Sequence, residues 1–293
     1  MVIVLLALAC GGGQRHPSEV TDARILSIVA EPPEAQPGET VDISVLVANP
    51  QARELEVLIW TCGLYEGECA ESMRPFTDWA VVASPIGSSL RHDGVDVIAA
   101  YAAEQARVTR SVPSEVSDLL DYVDPIPVLL YALACEPGLC PLIEEVKDAL
   151  EDNNADSSLE KKLADPTLWM HQLPMDGVSL AIQQFMVSTA DKTRNHNPIF
   201  DPRFVQGREA VLRVPAGGEL EVAFFVDDPD AEKVYGYGYT TIGSFEERRV
   251  TEEDNAIRNY LLAPSQAGEG RVYMVFEDRD GGAAIWTRPI EIY

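Results

Sequence analysis

Between Thr40 and Val47 the chain alternates without a break: Val41, Ile43, Val45 and Val47 are separated by Thr40, Asp42, Ser44 and Leu46. Side chains along a β-strand point to opposite faces in turn, so this spacing describes a strand with one face buried. The second half of the chain repeats the signature. Leu220, Val222, Phe224 and Val226 share one face of the run Glu219–Asp227. Glu209–Val214, Lys233–Ile242, Ala256–Leu262, Arg271–Glu277 and Ala283–Tyr293 read as further strands, set off by Gly, Pro and Asp turns. Short alternating strands spaced by roughly ten residues indicate a sandwich of two packed sheets.

The first half is less uniform. Arg24–Ala30 reads as a strand ended by Glu31-Pro32-Pro33, with Gln36-Pro37-Gly38-Glu39 as the turn into the alternating run. Glu54–Cys62 is a third strand, apolar at every position from Val57 to Trp60, so both of its faces require cover and a second layer must lie outside the sandwich there. Trp79–Ala83 and part of Val95–Val112 read as further short strands. Helix signals follow. Ser114 can cap a helix over Glu115–Val123, with Glu115 and Asp118 near its positive end. Asp124-Pro125 is a second start signal before the apolar run Val128–Ala134. Pro141–Leu150 carries Leu142, Val146 and Leu150 at helical spacing, and Asp165-Pro166 opens Thr167–Gln172. These helices predict an insertion over about 114–175, packed on the outer face of the strand around Ile59, with Asp152–Ser158 as a mobile loop. Val178–Thr189 returns to strand character, and the polar Asp191–Pro198 places a boundary near Arg194.

Three resemblances sharpen this outline. Arg24–Pro33 with Pro37-Gly38-Glu39-Thr40-Val41 resembles the first two strands of bacterial Ig-like domains, and Trp60-Thr61-Cys62 sits where such domains place their core aromatic. Pro215–Glu219, Val226–Asp230 and Asp280-Gly281-Gly282 before Trp286 resemble PKD-type and fibronectin type III-like modules of surface lipoproteins; the resemblance implies a spacer or interaction role. Ala7-Leu8-Ala9-Cys10, closing the apolar run Val2–Ala9, resembles a lipobox, in which the Cys sulfur takes a diacylglycerol and the preceding peptide is removed. Eight apolar residues are too few to span a bilayer, which needs about 20. Gly11 after the Cys implies sorting to the outer membrane.

The expected organisation is mainly β with a helical insertion: two Ig-like β-sandwich domains in tandem. Residues 1–9 form a signal peptide, 10–22 the lipidated Cys10 and its linker, 23–193 the first sandwich with its insertion, and 194–293 the second. The implied localisation is the cell envelope, with palmitate and the other acyl chains on Cys10 holding the chain to the outer membrane.

Acidic residues outnumber basic ones, 48 to 22, for a net charge of −26. Such a surface repels phosphate backbones and argues against nucleic acid as a partner. Cys62, Cys69, Cys135 and Cys140 are an even set in an exported chain, and four cysteines allow three connectivities. Their short spacings favour the local pairs Cys62–Cys69 and Cys135–Cys140, the rival being a cross-link between the two pairs; a zinc site is weaker, without CxxC or a neighbouring His.

Two side-chain groups invite a functional reading. Asp227, Asp228 and Asp230 lie in one inter-strand loop, and Asp278 and Asp280 in another. Brought together, they offer Ca²⁺ the carboxylate oxygens it takes; apart, they are turn formers. Tyr235, Tyr237 and Tyr239 alternate with Gly236 and Gly238, so their rings share a face about 6.6 Å apart. Turned to solvent they would stack on sugars, and turned inward they would be sandwich core, with the glycines left for a close approach by the first domain. His16, His92, His171 and His196 have no metal-ligand spacing, and no GxSxG, HExxH or P-loop occurs. The sequence therefore points to a structural or adhesive envelope protein with an unidentified protein or glycan partner. A carbohydrate-binding accessory protein is the second reading, a hydrolase the weakest, and no catalysis or cofactor beyond calcium is expected.

Overall fold

The computed structural model describes residues 17–65, 68–69, 81–83, 105–152, 159, 162–163, 169, 173, 177–189, 194–201 and 211–293. The first half runs β1 (Arg24–Glu31), β2 (Glu34–Ala35), β3 (Thr40–Ala48), β4 (Glu56–Tyr65), β5 (Glu68–Cys69), β6 (Val81–Ala83), β7 (Gln105–Ser111), a 3₁₀ turn Ser114–Val116, α1 (Ser117–Leu120), β8 (Ile126–Cys135), α2 (Pro141–Asp152) and β9 (Val178–Val187). One sheet has the order β1-β3-β7, the other β2-β9-β8-β4-β5 with β6 also on β4. The alternation that defines β3 is realised as expected: Val41, Ile43, Val45 and Val47 face Val57, Ile59, Val128, Leu130 and Phe185 across the sandwich.

The apolar run over Val128–Ala134 is a strand, not a helix, and the insertion is correspondingly smaller than the sequence suggests. β8 pairs antiparallel with β4 on one edge (Leu129 opposite Cys62) and with β9 on the other (Leu130 opposite Gln183). A central strand buried on both faces needs apolar residues at every position, so its sequence loses the alternation that separates strand from helix. Among the described residues, the longest helix lies in the β8–β9 connection. It is α2, entered through the Cys135–Cys140 disulfide (Cα–Cα 6.3 Å). The helix expected over Glu115–Val123 is reduced to the 3₁₀ turn and α1.

The second layer demanded by Val57–Trp60 is present. Leu58 and Trp60 point away from the sandwich into a separate core with Tyr131, Leu133, Leu142, Ile143, Val146, Leu163 and Trp169. Trp60 therefore does not sit between the sheets, as the Ig-like resemblance implies. It stacks on Tyr131 (centroids 5.0 Å, planes 12° apart) and its Nε1 donates to the Leu163 carbonyl at 3.0 Å.

The second half runs β10 (Ile199–Asp201), β11 (Leu212–Val214), β12 (Glu219–Asp227), β13 (Tyr235–Thr240), β14 (Ser244–Phe245), β15 (Arg249–Thr251), β16 (Ala256–Leu262), β17 (Gly268–Glu277) and β18 (Ala283–Ile292). Its sheets are β10-β12-β16-β14 and β11-β18-β17-β13-β15, closed over a core that includes Leu220, Val222, Phe224, Phe245, Phe276 and Trp286. Both halves use the same opening. Their first strand pairs antiparallel in one sheet (β1 with β3, β10 with β12), and the next short strand crosses to pair parallel with the last (β2 with β9, β11 with β18). The fold is two Ig-like β-sandwiches in tandem, the first carrying a helical insertion.

The sandwiches pack side against side. Leu26, Leu46 and Ala48, on the outer face of β1-β3-β7, form a cluster with Val20 and with Tyr239, Tyr273 and Val275 from the outer face of β13 and β17; Tyr237 and Ile285 border it. This explains Leu46, a large apolar residue on the side of β3 that the alternation assigns to solvent. The stretch before β1 is not a free linker either. Val20 N donates to the Thr240 carbonyl at 2.8 Å, Thr240 N to the Ser18 carbonyl at 2.9 Å and Phe245 N to Ser18 Oγ at 2.8 Å, so the segment is stitched to the end of β13.

Candidate functional site: the acidic joint between the sandwiches

Asp228 and Asp278 each fold their own loop. Asp228 Oδ1 accepts from Asp230 N at 2.8 Å; Asp278 Oδ1 accepts from Asp280 N at 2.9 Å and Gly282 N at 2.8 Å. These are the local side-chain-to-backbone turns that Asp favours. The two loops lie at the same end of the second sandwich, and Glu232, at the exit of the first, reaches the Asp280 carboxyl of the other. Asp227 is exposed and outside this group, and Asp230 turns to the interdomain segment, where His196 N donates to its Oδ2 at 2.7 Å. The sequence thus supplies Asp228, Asp278 and Asp280, and misses Glu232, whose role depends on loop convergence that no spacing encodes.

Carboxylates forced together away from water resist ionisation. Burial, then the Asp280 carboxyl, with Asp278 and Asp228 behind it, push Glu232 up to about 7. Burial lifts Asp278 to about 6 against the N–H donors of Gly282 and Asp280, with the Asp228 charge adding to the rise. Among the described residues, Asp228 Oδ2, Glu232 Oε2 and Asp278 Oδ2 are buried with no hydrogen-bond partner. No group of three or more His, Cys, Asp or Glu side chains among the described residues is placed to hold a metal ion, so the calcium reading of Asp227, Asp228, Asp230, Asp278 and Asp280 finds no support in the geometry.

The first sandwich buttresses this end. Gln183 Nε2 donates to the Gly281 carbonyl at 3.0 Å. Asn197 donates to the Ala30 carbonyl at 2.8 Å and accepts from Ala283 N at 2.7 Å, tying one sandwich to the other. Gly281, at φ +102°, is both in the left-handed region and too close to the Gln184 carbonyl for a side chain.

The three tyrosines do share a face of β13, but it is neither the sandwich interior nor an open platform. Gly236 and Gly238 face inward, where a Cβ would lie 2.6 Å from Ile257 Cγ2 and 2.7 Å from Phe245 Cδ2. Tyr239 is 6% exposed beneath the first sandwich, and the Arg24 guanidinium stands 5.2 Å from its ring centre. Burial raises the Tyr239 hydroxyl pKa, with Arg24 and Arg248 opposing the rise. Tyr235 is covered by Arg249, 3.9 Å from the ring centre. The three rings are therefore not presented together to solvent, as a sugar platform needs: Tyr239 is covered, and Tyr235 and Tyr237 are half-buried.

The open face is elsewhere. On the outer side of β12 and β16, Phe225, Tyr260 and Leu262 are exposed at 42%, 37% and 39%, among Glu219, Glu221 and Arg258. Cys10 and the histidines other than His196 lie outside the described residues, as do the Cys62 and Cys69 side chains.

No protein-family model and no curated protein matches the chain. Among solved structures it is similar to the D0-D1 domain of intimin (11% identity, TM-score 0.24, 92% of this chain and 98% of that one). It is also similar to the tandem Ig repeats of Dlar (10%, 0.25, 94% and 98%) and to the Yersinia pseudotuberculosis adhesin InvE (8%, 0.25, 95% and 61%). The sandwich assignment rests on the strand pairing described above.

Proposed function

We propose that this chain is a lipid-anchored cell-envelope protein with a structural or adhesive role, presenting the open β12–β16 face to a protein or glycan partner. The observation that carries the reading is the burial of the outer sheet faces against each other, with Ser18–Val20 stitched to β13. A load applied through the N-terminal tether reaches both sandwiches through paired strands and packed rings, as a stalk or adhesin requires. The Ala7-Leu8-Ala9-Cys10 motif supports acylation at Cys10, and the net charge of −26 argues against direct docking on anionic lipid headgroups.

Labelled palmitate supplied to cells making the full chain is expected to enter the protein and partition it with membranes, and Cys10→Ser to abolish both. Unlabelled wild-type protein in the soluble fraction sinks the anchor. A photo-crosslinking residue at Tyr260 is expected to trap a discrete envelope partner, whereas one at the covered Tyr239 traps none. Equal trapping at both positions refutes the assignment of the binding face.

A further inference from the structure

We propose that the outer face of β10, β12 and β16 binds a Lys- and Arg-rich polypeptide segment, whose side-chain stems lie on its apolar residues and whose charged heads reach its carboxylates. The inference rests on the assignment of this face as the binding surface, and it names the chemistry of the partner there.

The strand register carries it. On this face each large exposed apolar residue stands directly opposite a carboxylate. Leu262 is across from Glu219, and Tyr260 is across from Glu221. Phe225 is across from Asp201, and Ile199, 59% exposed, is across from Asp227. Directly opposed residues of an antiparallel pair hold their Cβ atoms about 4.5–5.5 Å apart, so apolar and acidic groups sit in contact couples over three neighbouring strands. Glu246, just past β14, borders Tyr260 on its other side, its N donating to the Tyr260 carbonyl at 2.8 Å. Arg258 is the only basic residue on β10, β12 and β16. No salt bridge among the described residues involves Glu219, Glu221 or Asp227.

Apolar and acidic groups in this register favour one kind of occupant. A purely apolar partner would strip water from the carboxylates without replacing it. Anionic lipid, phosphate and acidic glycans all meet the net charge of −26. A second copy laid face to face would set these carboxylates against their own kind. Lys and Arg satisfy both halves of each couple, because the aliphatic stem covers apolar surface while the charged head stays outside it, free to pair. Arg also stacks on aromatic faces such as those of Phe225 and Tyr260. The couples repeat along and across the strands, so a segment carrying several cations engages them together.

The test is fluorescence anisotropy of a dye-labelled peptide of alternating Arg and Ser, titrated with the full chain at near-physiological salt. It is repeated on the double variant Glu219→Gln with Glu221→Gln and on Tyr260→Ala. A control variant, Asp118→Asn with Asp121→Asn, removes the same number of charges from exposed positions on the first sandwich. All of these side chains lie at the surface, so the variants are expected to fold. Saturable binding, weakened about fivefold or more by the Gln pair and by Tyr260→Ala but less than about twofold by the Asn pair, supports the proposal. Absence of binding, or wild-type affinity in either face variant, overturns it. Equal weakening by the Gln and Asn pairs overturns it too, because net charge alone would then attract the peptide. The face itself is judged separately, by cross-linking at Tyr260: a partner trapped there while the peptide fails leaves the binding surface standing and removes only its cationic occupant.

Discussion

At the scale of single residues, the acidic joint makes stability depend on pH in an unusual direction for carboxylates. Glu232 rises from 4.5 to about 7 and Asp278 from 3.8 to about 6, so the folded chain holds protons that the unfolded chain releases. Below the unfolded values both groups are protonated in either state and their contribution is complete. As pH rises through about 6 to 7 the folded groups ionise against Asp228 and Asp280, and that contribution is lost. The chain is therefore expected to melt at a higher temperature at pH 5 than at pH 8. The net charge of −26 adds a general repulsion of the same sign. Glu232→Gln separates the two, since it must flatten the slope of Tm against pH while leaving the general repulsion nearly intact. An unchanged slope would remove Glu232 as the cause. The glycines of β13 give a second residue-scale test. A Cβ at Gly238 would meet Phe245 at 2.7 Å, so Gly238→Ala is expected to cost about 1–3 kcal/mol through overpacking, read from the urea midpoint. A midpoint equal to wild type would mean that β13 has space to yield.

At the scale of elements, legibility in the sequence followed exposure. Strands with one wet face were readable nearly to the residue: β12 and β16 have the boundaries that alternation assigns, because solvent enforces polarity on every second position. β8 was not readable. Covered by the opposite sheet on one side and by α2 on the other, it has no polar period, and Asp124-Pro125 before it imitates a helix start. The strands β10, β14 and β15 are two or three residues long and exist only through their partners. The same limit applies to the site: the Asp turns carry local signatures, whereas Glu232 gains its role from tertiary approach. Tyr239, readable as sugar platform or sandwich core, and Leu46, apolar on the side of β3 that alternation gives to solvent, are both explained by the second sheet laid over them. The layer over β4 is testable at Trp60, whose ring is fully buried between Tyr131 and Trp169. Trp60→Ala is expected to cost about 3–5 kcal/mol and to speed proteolysis within the β8–β9 connection, because α2 loses its floor. Cleavage at the wild-type rate would mean that the disulfide alone holds the insertion.

At the scale of the whole molecule, four sheets are stacked with three apolar seams, and the middle seam decides whether this is a flexible pair or one body. Inter-domain contacts that are small and polar leave domains to move as separate units. Here Leu46 and Tyr273 are completely buried between the sandwiches, and Val20 N, Asn197 and Gln183 add hydrogen bonds around the apolar centre. Removing either sandwich exposes that surface on the other, so their unfolding is coupled and the intact chain is expected to melt in a single calorimetric transition. Leu46→Asp places a carboxylate against Tyr239 and Tyr273, while the Arg24 guanidinium, on the neighbouring strand of the same sheet, is engaged over the Tyr239 ring. An uncompensated charge in such a position costs at least about 3 kcal/mol, and opening the seam is the cheapest way for the chain to rehydrate it. The variant should therefore show two transitions, a larger radius of gyration in small-angle scattering and faster cleavage at residues 194–198, with its strand content unchanged. Two transitions already present in the wild-type chain, or one retained in Leu46→Asp, would mean that the seam contributes little to coupling, and the load path from the tether to the β12–β16 face would have to run through the chain segment at Asn197 alone.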